Sequence, residues 1–541
     1  MLIGDPFKYI HHTAEILSVG KISLVIGRGV GVVLDYADRG PAMEMFGMAR
    51  GRDALSYYGA GPLVDAAMMM FDQGVNAVYG FRVMGLGYAT ADVDVFDSNN
   101  VKAGTFVAPS AGTHGNVPVI KVEDSLVTAW NKERFNGDGT AGPYALKVDD
   151  IDENNANYVT VAGVARTIVY AEQNLGENNA YINKATGGVL FHSSNKPGKT
   201  NEIIVGVKHK TRRVVMTDGL NPPEVISNVQ SVLQLAAKTR YSAIANYVPA
   251  IGSTHLPKPV ITQMEGGDDG AEPNGDDWVL AFESALKLPG GVIPTSVTTS
   301  QFELTPGGDE LFPMMDGYLS RMADQWTPTL GYMSANPYAT KDEILELATG
   351  YNSMWFTIIG NGWHRDGRSL APARAGMEAA VELGSSTSEE INVLKGIGNN
   401  LLYQFSDTDR EELTANGIDV LEKEAGIKPY AAITTNRDEN FKKCVDMRTI
   451  NWNQILLNSI VKRMYHARRT KENMGRVKST MELLLEEQCK HSILDDYSIA
   501  VLPNPLDRNK VDIDFWLQCV GHMQRFHTVL SVGYWSSNVA E

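Results

Sequence analysis

The sequence predicts a multidomain α/β protein whose α/β core is discontinuous, split by a β-rich surface insertion. Three observations predict it. The chain has 541 residues, more than one compact core accommodates. Strand-like and helix-like patterns alternate on both sides of the middle region, which is how α/β layers are built. From residue 91 to 245 the composition shifts to Asp, Asn, Gly and Thr. Short alternating segments appear there, such as Tyr158-Val159-Thr160-Val161 and Glu202-Ile203-Ile204-Val205.

The elements follow in order. Residues 21–35 are rich in Val, Ile and Leu and are broken by Gly27, Gly29 and Gly31, so they read as strand, glycine turn and second strand. Arg39-Gly40-Pro41 is a turn. Gly61-Pro62 opens a helix running to Gln73, because proline suits the first helical position, and Gly74 closes it. Residues 76–83 read as a buried strand. Within the insertion one helix is expected, over 224–238.

Residues 262–278 are polar and turn-rich, with a helix following to about Leu288. Strands and helices then alternate to residue 400. Segments 341–348, 371–383 and 388–397 carry helical patterns, and 353–359 reads as a buried strand. Residues 452–485 predict one or two long helices, with Gly475 as the break. Val511, Ile513, Phe515, Leu517 and Cys519 alternate with other residues, the mark of a half-buried strand. Residues 528–535 form a last strand-like segment.

Composition narrows the function. Hydrophobic residues make up 43% and charged residues 21%, ordinary for a globular chain with a sizeable core. The formal net charge of -16 repels polyanions and argues against a general nucleic-acid-binding role. Cys444, Cys489 and Cys519 match no zinc or disulfide spacing and are expected as thiols of a reducing cytoplasm. The N-terminal residues do not pattern as a secretion signal, and no apolar run is long enough to span a bilayer.

No catalytic, cofactor or metal motif is complete, so no enzymatic activity and no cofactor are expected. Gly198-Lys199-Thr200 ends like a phosphate-binding loop, but Ser193 stands where its first glycine is required. In Gly27-x-Gly29-x-Gly31 the third glycine comes too early for a dinucleotide fingerprint, and a strand follows it. Asn136-Gly137-Asp138-Gly139-Thr140 lacks the closing glutamate of a calcium loop and reads as a solvated turn. His11-His12 has no third ligand implied nearby.

Ordered landmarks carry more than any single motif. Arg28-Gly29-Val30-Gly31, Arg39-Gly40-Pro41, Phe46-Gly47, Gly74-x4-Tyr79 and Phe81-Arg82-Val83 occur in sequence near the N-terminus. After the insertion come Glu265-Gly266-Gly267-Asp268-Asp269-Gly270, Asp276-Asp277-Trp278, Pro372-Ala373-Arg374-Ala375-Gly376 and Leu413-Thr414-Ala415-Asn416-Gly417-Ile418. Ile433-Thr434-Thr435 and Val445-Asp446-Met447-Arg448-Thr449 close the series. This order resembles that of contractile tail sheath proteins of the bacteriophage myovirus type, over roughly 350 residues. The first twenty residues and the 91–245 insertion have no counterpart in the pattern, and Met447-Arg448 stands where many members carry two arginines.

The resemblance implies a division into an N-terminal arm (1–20), a first core part (21–90), a β-rich outer insertion (91–245), a second core part (246–430), a C-terminal inner domain (431–526) and a C-terminal arm (527–541). It implies subunits in hexameric rings, stacked helically around a tail tube protein and capped by baseplate and terminator proteins. It further implies a particle assembled in the host cytoplasm and ending as part of the virion, with no direct contact to nucleic acid and no insertion into membrane.

The resemblance implies arm strands that complete a neighbour's sheet, since an open strand edge offers unpaired N–H and C=O groups; an ordinary intramolecular edge strand is the plainer reading. The C-terminal donor strand would use Val529, Leu530, Val532, Tyr534 and Trp535. The N-terminal arm is expected in 1–20 or in the strand 22–26. Lys462, Arg463, Arg468, Arg469, Lys471, Arg476 and Lys478 lie within 17 residues in which Glu472 is the only acid. They are candidates for contact with the tube; a solvated helix face with intrahelical partners is the plainer reading. Two other readings compete: a different self-assembling virion component of baseplate or capsid, and a cytosolic α/β enzyme using 262–400 as a ligand-binding layer.

Overall fold

The computed structural model describes residues 29–219, 222–304, 308–389, 392–464, 470–506 and 511–520. The described residues form two compact units: one from those up to residue 86 together with those from 272 on, the other from 87–271.

The first unit begins with strand β1 (Val30–Asp35), every residue of which is buried. A continuous apolar run of this kind belongs to a parallel strand covered on both faces. Strand β2 (Met45–Met48) precedes helices α1 (Gly51–Tyr58) and α2 (Pro62–Gln73). Helix α2 starts and stops where its sequence predicts. Pro62 occupies the first turn, and Gly74 adopts φ 102°, its N–H bonding back to the carbonyls of Met70 and Phe71. Strand β3 (Ala77–Arg82) follows, again buried throughout.

The second unit is β-rich. Its long strands β4 (Val119–Asn136) and β6 (Glu202–Thr217) pair antiparallel, with a register shift between Lys210 and Arg212, and β5 (Tyr158–Val161) pairs with β6. The expected helix over 224–238 is instead a strand, Glu224–Val229, and then helix α3 (Val232–Thr239), whose N-cap Ser231 accepts from Gln234 N at 3.2 Å. Val225 and Ile226 pair with β6, so sheet pairing overrides the local helical pattern. The expected insertion limit at 245 also moves. Asn246–Pro249 and Val260–Gln263 bond to strands of this unit, and Glu265 and Asp268 bridge to Asp92 and Ala89. The Glu265–Gly270 loop therefore lies in the insertion, not in the core.

The chain returns to the first unit with helix α4 (Gly275–Ala285), capped by Asn274 and Asp277 in a reciprocal box. There follow β7 (Ser296–Thr298), α5 (Phe312–Asp324), β8 (Leu330–Ser334), α6 (Lys341–Thr349), β9 (Phe356–Ile359), α7 (Ala371–Ala380), α8 (Asp407–Ala415) and β10 (Ile418–Asp419). Of the expected helix over 388–397, the described residues 388–389 and 392–397 are not helical. Leu394 N donates to Ile427 O, and nearby side chains bond locally, Ser386 N to Glu389 Oε1 and Asn392 Nδ2 to Ser386 O.

The sheet has the order β10-β9-β8-β7-β1-β3-β2, parallel except for β2. Side chains alternate across it. Val30, Val32 and Leu34 pack with Trp278, Phe282, Phe312 and Tyr318 on one face. Val33 and Val78 pack with α2 and α7 through Ala67, Met70, Ala373 and Ala375 on the other. The two helices approach closely because Gly376 has no side chain: a Cβ there would stand 2.7 Å from Met70 Cα.

Helices α9 (Cys444–Met464) and α10 (Lys471–Lys490) and strands β11 (Leu494–Pro503) and β12 (Val511–Cys519) complete the unit. The break expected at Gly475 falls earlier. Gly475 sits inside α10, and Thr470 caps that helix by accepting from Asn473 N at 3.1 Å.

Candidate assembly surfaces and the closed switch point

Where a parallel sheet reverses its strand order, ligands of α/β proteins bind beyond the strand C-termini. Here the reversal lies between β1 and β7. At that point residues 300 and 301 bond to the end of β1. The buried Asp35 carboxylate accepts from Ser300 N at 2.8 Å, from Ser300 Oγ, from Gln301 Nε2 at 2.8 Å and from Tyr36 N at 2.9 Å. Burial raises its pKa against the lowering effect of these bonds.

A shallow cleft of about 600 Å³ lies beyond β8, lined by Glu310, Asn336, Tyr338, Glu343, Glu346 and Tyr351 among others. Its Glu343 is already engaged as part of the α6 cap, accepting from Thr340 N at 2.7 Å and from Thr340 Oγ1 at 2.9 Å. Burial raises the pKa of Glu310 and pushes that of Tyr351 to about 12. No grouping of three or more His, Cys, Asp or Glu side chains able to hold a metal occurs among the described residues. No helix among them is long and apolar enough to cross a membrane.

The C-terminal part of the first unit has a core of its own. Leu457, Ile460 and Val461 of α9, Val477, Met481, Leu484 and Leu485 of α10, and Ile513, Phe515, Leu517 and Cys519 of β12 pack together. Asn453 and Gln488 tie the helices inside it: Asn453 Nδ2 donates to Gln488 Oε1 at 2.9 Å, and Gln488 Nε2 to Asn453 Oδ1 at 2.7 Å. Strands β11 and β12 pair antiparallel from Leu494↔Cys519 to Pro503↔Val511. Among the described residues they form a sheet of two strands, and β11 bonds to β12 alone. Two strands are the least that makes a sheet, and an edge strand is a template for a third.

Of the predicted assembly residues, Lys462 and Arg463 on α9 and Lys471, Arg476 and Lys478 on α10 belong to this subdomain. Val529, Leu530, Val532, Tyr534 and Trp535 lie outside the described residues, as do Arg468, Arg469, residues 1–20 and the strand 22–26. Lys462 is exposed near the end of α9, and the side chain of Arg463 is outside the description. Lys471, Arg476 and Lys478 are on α10. Arg476 Nη2 bonds Glu472 Oε1 at 2.7 Å, and Lys478 Nζ lies 3.5 Å from Glu482 Oε1. Both are helical i,i+4 pairs, so two of the seven cations have the intrahelical partners of the plainer reading. Strand β11 was not anticipated, although Tyr497, Ile499 and Val501 carried its alternation.

No protein-family model matches the sequence, and no curated protein matches it. Solved structures do match. The sheath tail protein of Listeria innocua aligns with a TM-score of 0.60 at 14% identity, covering 98% of this chain and 100% of that one. The sheath tail protein of Desulfitobacterium hafniense aligns with a TM-score of 0.57 at 10% identity, covering 95% and 99%. The class is thus defined by architecture: a two-unit α/β protein with an inserted β-rich unit. Its fold is that of the sheath tail proteins, over nearly the full length compared.

Proposed function

We propose that this chain is the structural subunit of a contractile tail sheath. Copies polymerise as stacked helical rings around an inner tube and contract to drive the tube through the target cell envelope. The observation that carries the reading is the fold correspondence to two sheath tail proteins over nearly the full length of all three chains. The bonding of residues 300 and 301 to the end of β1 at the sheet's switch point supports a structural role.

The two-stranded C-terminal sheet supports assembly by strand addition. In this reading residues 529–535 of one copy add to the edge of β11 in another, so that backbone bonds hold neighbours while rigid cores rotate. Contacts of this head-to-tail kind do not close along the axis and need a template and a cap. The tube protein is the template, and baseplate and terminator proteins are the caps. Lys462 on α9 and Lys471 on α10, both exposed, are the described candidates to meet the tube. Surface pairs contribute at most about 1 kcal/mol each, which suits attachment that must release. The extended state is held kinetically, and contraction draws on new contacts between subunits.

Negative-stain electron microscopy of the purified chain at high concentration, with and without residues 527–541, tests this. Hollow striated tubes from the full chain that vanish on truncation support both the sheath and the arm. Tubes from both retain the sheath and remove this arm. Discrete small particles from both, also in the presence of the tube protein, overturn the reading.

A further inference from the structure

The second unit carries a group of exposed aromatic and cationic side chains on one sheet face. In the upper half of β4, Ala129 sits on the inner side and Trp130, Lys132 and Arg134 face out. Register places Trp130 opposite Lys208, and Lys132 opposite Gly206, whose other neighbour is Tyr158. Gly206 is what shapes this surface. A Cβ there would collide with the Tyr158 ring and stand 2.8 Å from its hydroxyl, so the tyrosine lies flat across β6 towards Lys132.

The ring centroids of Trp130 and Tyr158 are 6.4 Å apart at an interplanar angle of 42°, and Lys208 Nζ stands 5.5 Å from the Trp130 ring. Trp130 remains 53% exposed and Tyr158 38% exposed. An exposed tryptophan beside a tyrosine held flat is an expensive surface to leave in water, since aromatics carry the largest apolar area of any side chain.

The charge around the rings is equally specific. No ion pair of Lys132 or Lys208 is described, in a chain of net charge -16. Arg134 Nη1 bonds Glu202 at 2.9 Å and Lys210 Nζ bonds Asp124 at 3.1 Å, so carboxylates bound the patch on both sides. A nucleic acid needs a cationic track along its phosphates, with stacking bases. Two cations without a described carboxylate partner, one of them lying over the Trp130 ring, do not make a track. They suit a ligand with isolated negative groups and flat apolar faces.

We propose that this face binds an acidic polysaccharide: pyranose rings stack their C–H faces on Trp130 and Tyr158, and uronate carboxylates meet Lys132 and Lys208. The inference is independent of the sheath reading and assigns the second unit a ligand of its own.

The test uses the full chain on sensors carrying polygalacturonate, neutral dextran or oligo(dT). Saturable binding to polygalacturonate is expected, with dextran silent. Trp130→Ala is expected to weaken it about tenfold, and the Lys132→Glu/Lys208→Glu pair by at least as much. Tyr241→Ala, an aromatic exposed elsewhere on the same unit, leaves binding unchanged. Circular dichroism of each variant reports folding. Absence of polygalacturonate binding overturns the proposal, as does binding that survives Trp130→Ala in a folded protein. Preferential capture by oligo(dT) overturns it in favour of a single-stranded nucleic acid.

Discussion

Arg374 Nε donates to Asp419 Oδ2 at 3.0 Å, with both side chains fully withdrawn from solvent. Arg374 Nη1 also donates to Glu378 Oε2 at 2.8 Å, one helical turn along α7, and Arg448 Nη1 stands 3.4 Å from the other Glu378 oxygen. Two cations and two carboxylates thus join α7, β10 and α9 across the apolar core. Removing one member strands its partners without solvent. Arg374→Met is expected to cost about 3–5 kcal/mol, read as a lowered urea midpoint. A loss under 1 kcal/mol would show that water reaches the network.

Asp446, at the start of α9, has its pKa pushed up to about 6, chiefly by burial. A carboxyl raised on folding destabilises the native state in its charged form. Its penalty is absent below the unfolded value near pH 4, grows as pH rises, and is complete above pH 6. Asp446→Asn is therefore expected to raise stability by about 1–2 kcal/mol at pH 7 and to change little at pH 4. Melting temperatures of both proteins across pH 4–8 check this, and parallel curves would contradict it.

The Asn453–Gln488 pair makes a double-mutant cycle informative. Gln488→Leu leaves the Asn453 amide with one of its partners gone, at a cost of about 1–3 kcal/mol. Replacing both by Leu recovers part of that loss, because no buried amide is then left over. Additive losses in denaturant unfolding would mean the two amides do not act as a unit.

Gly376 and Gly31 both admit Met70, but at different atoms. A Cβ on Gly376 meets Met70 Cα at 2.7 Å, whereas one on Gly31 meets the far end of the same side chain, with Sδ at 2.8 Å. Backbone cannot swing aside as a thioether can. Gly376→Ala is expected to cost about 2–3 kcal/mol and Gly31→Ala less. The reverse order of unfolding midpoints would place the tight contact elsewhere.

Charge reversal at exposed lysines separates folding from assembly. Lys462→Glu and Lys471→Glu are expected to shift stability by no more than about 0.5 kcal/mol. They should reduce co-sedimentation with the tube protein, and the wild-type association should weaken as salt rises. Arg476→Glu, whose parent side chain is held by Glu472, should reduce it less. Equal effects of all three would remove the tube-facing assignment.

Much of the fold was legible because it is encoded locally. Pro62 and Gly74 delimit α2 by fixing φ at one end and permitting a left-handed residue at the other. The apolar residues of β1 announced a strand, those of β3 a buried one, and the alternation in β12 a strand buried on one side. The basic run was visible as charge, and the i,i+4 spacing of Lys478 and Glu482 was equally readable.

By itself the sequence determined the class of layers, the existence of an inserted β-rich unit and the ordered glycine landmarks, since each depends on residues close in the chain. The tertiary structure alone decided that 224–229 is a strand, that the described residues of 388–397 are not helical, and that the insertion continues to 271. For 224–229 the deciding bonds come from residues 212–216 of β6, for 388–397 from Ser386 and Ile427, and for the limit of the insertion from strands more than a hundred residues away. It alone placed the Arg374 network in the core and set Tyr158 flat over Gly206, because burial and cross-strand register are relations between distant residues that local patterning does not carry.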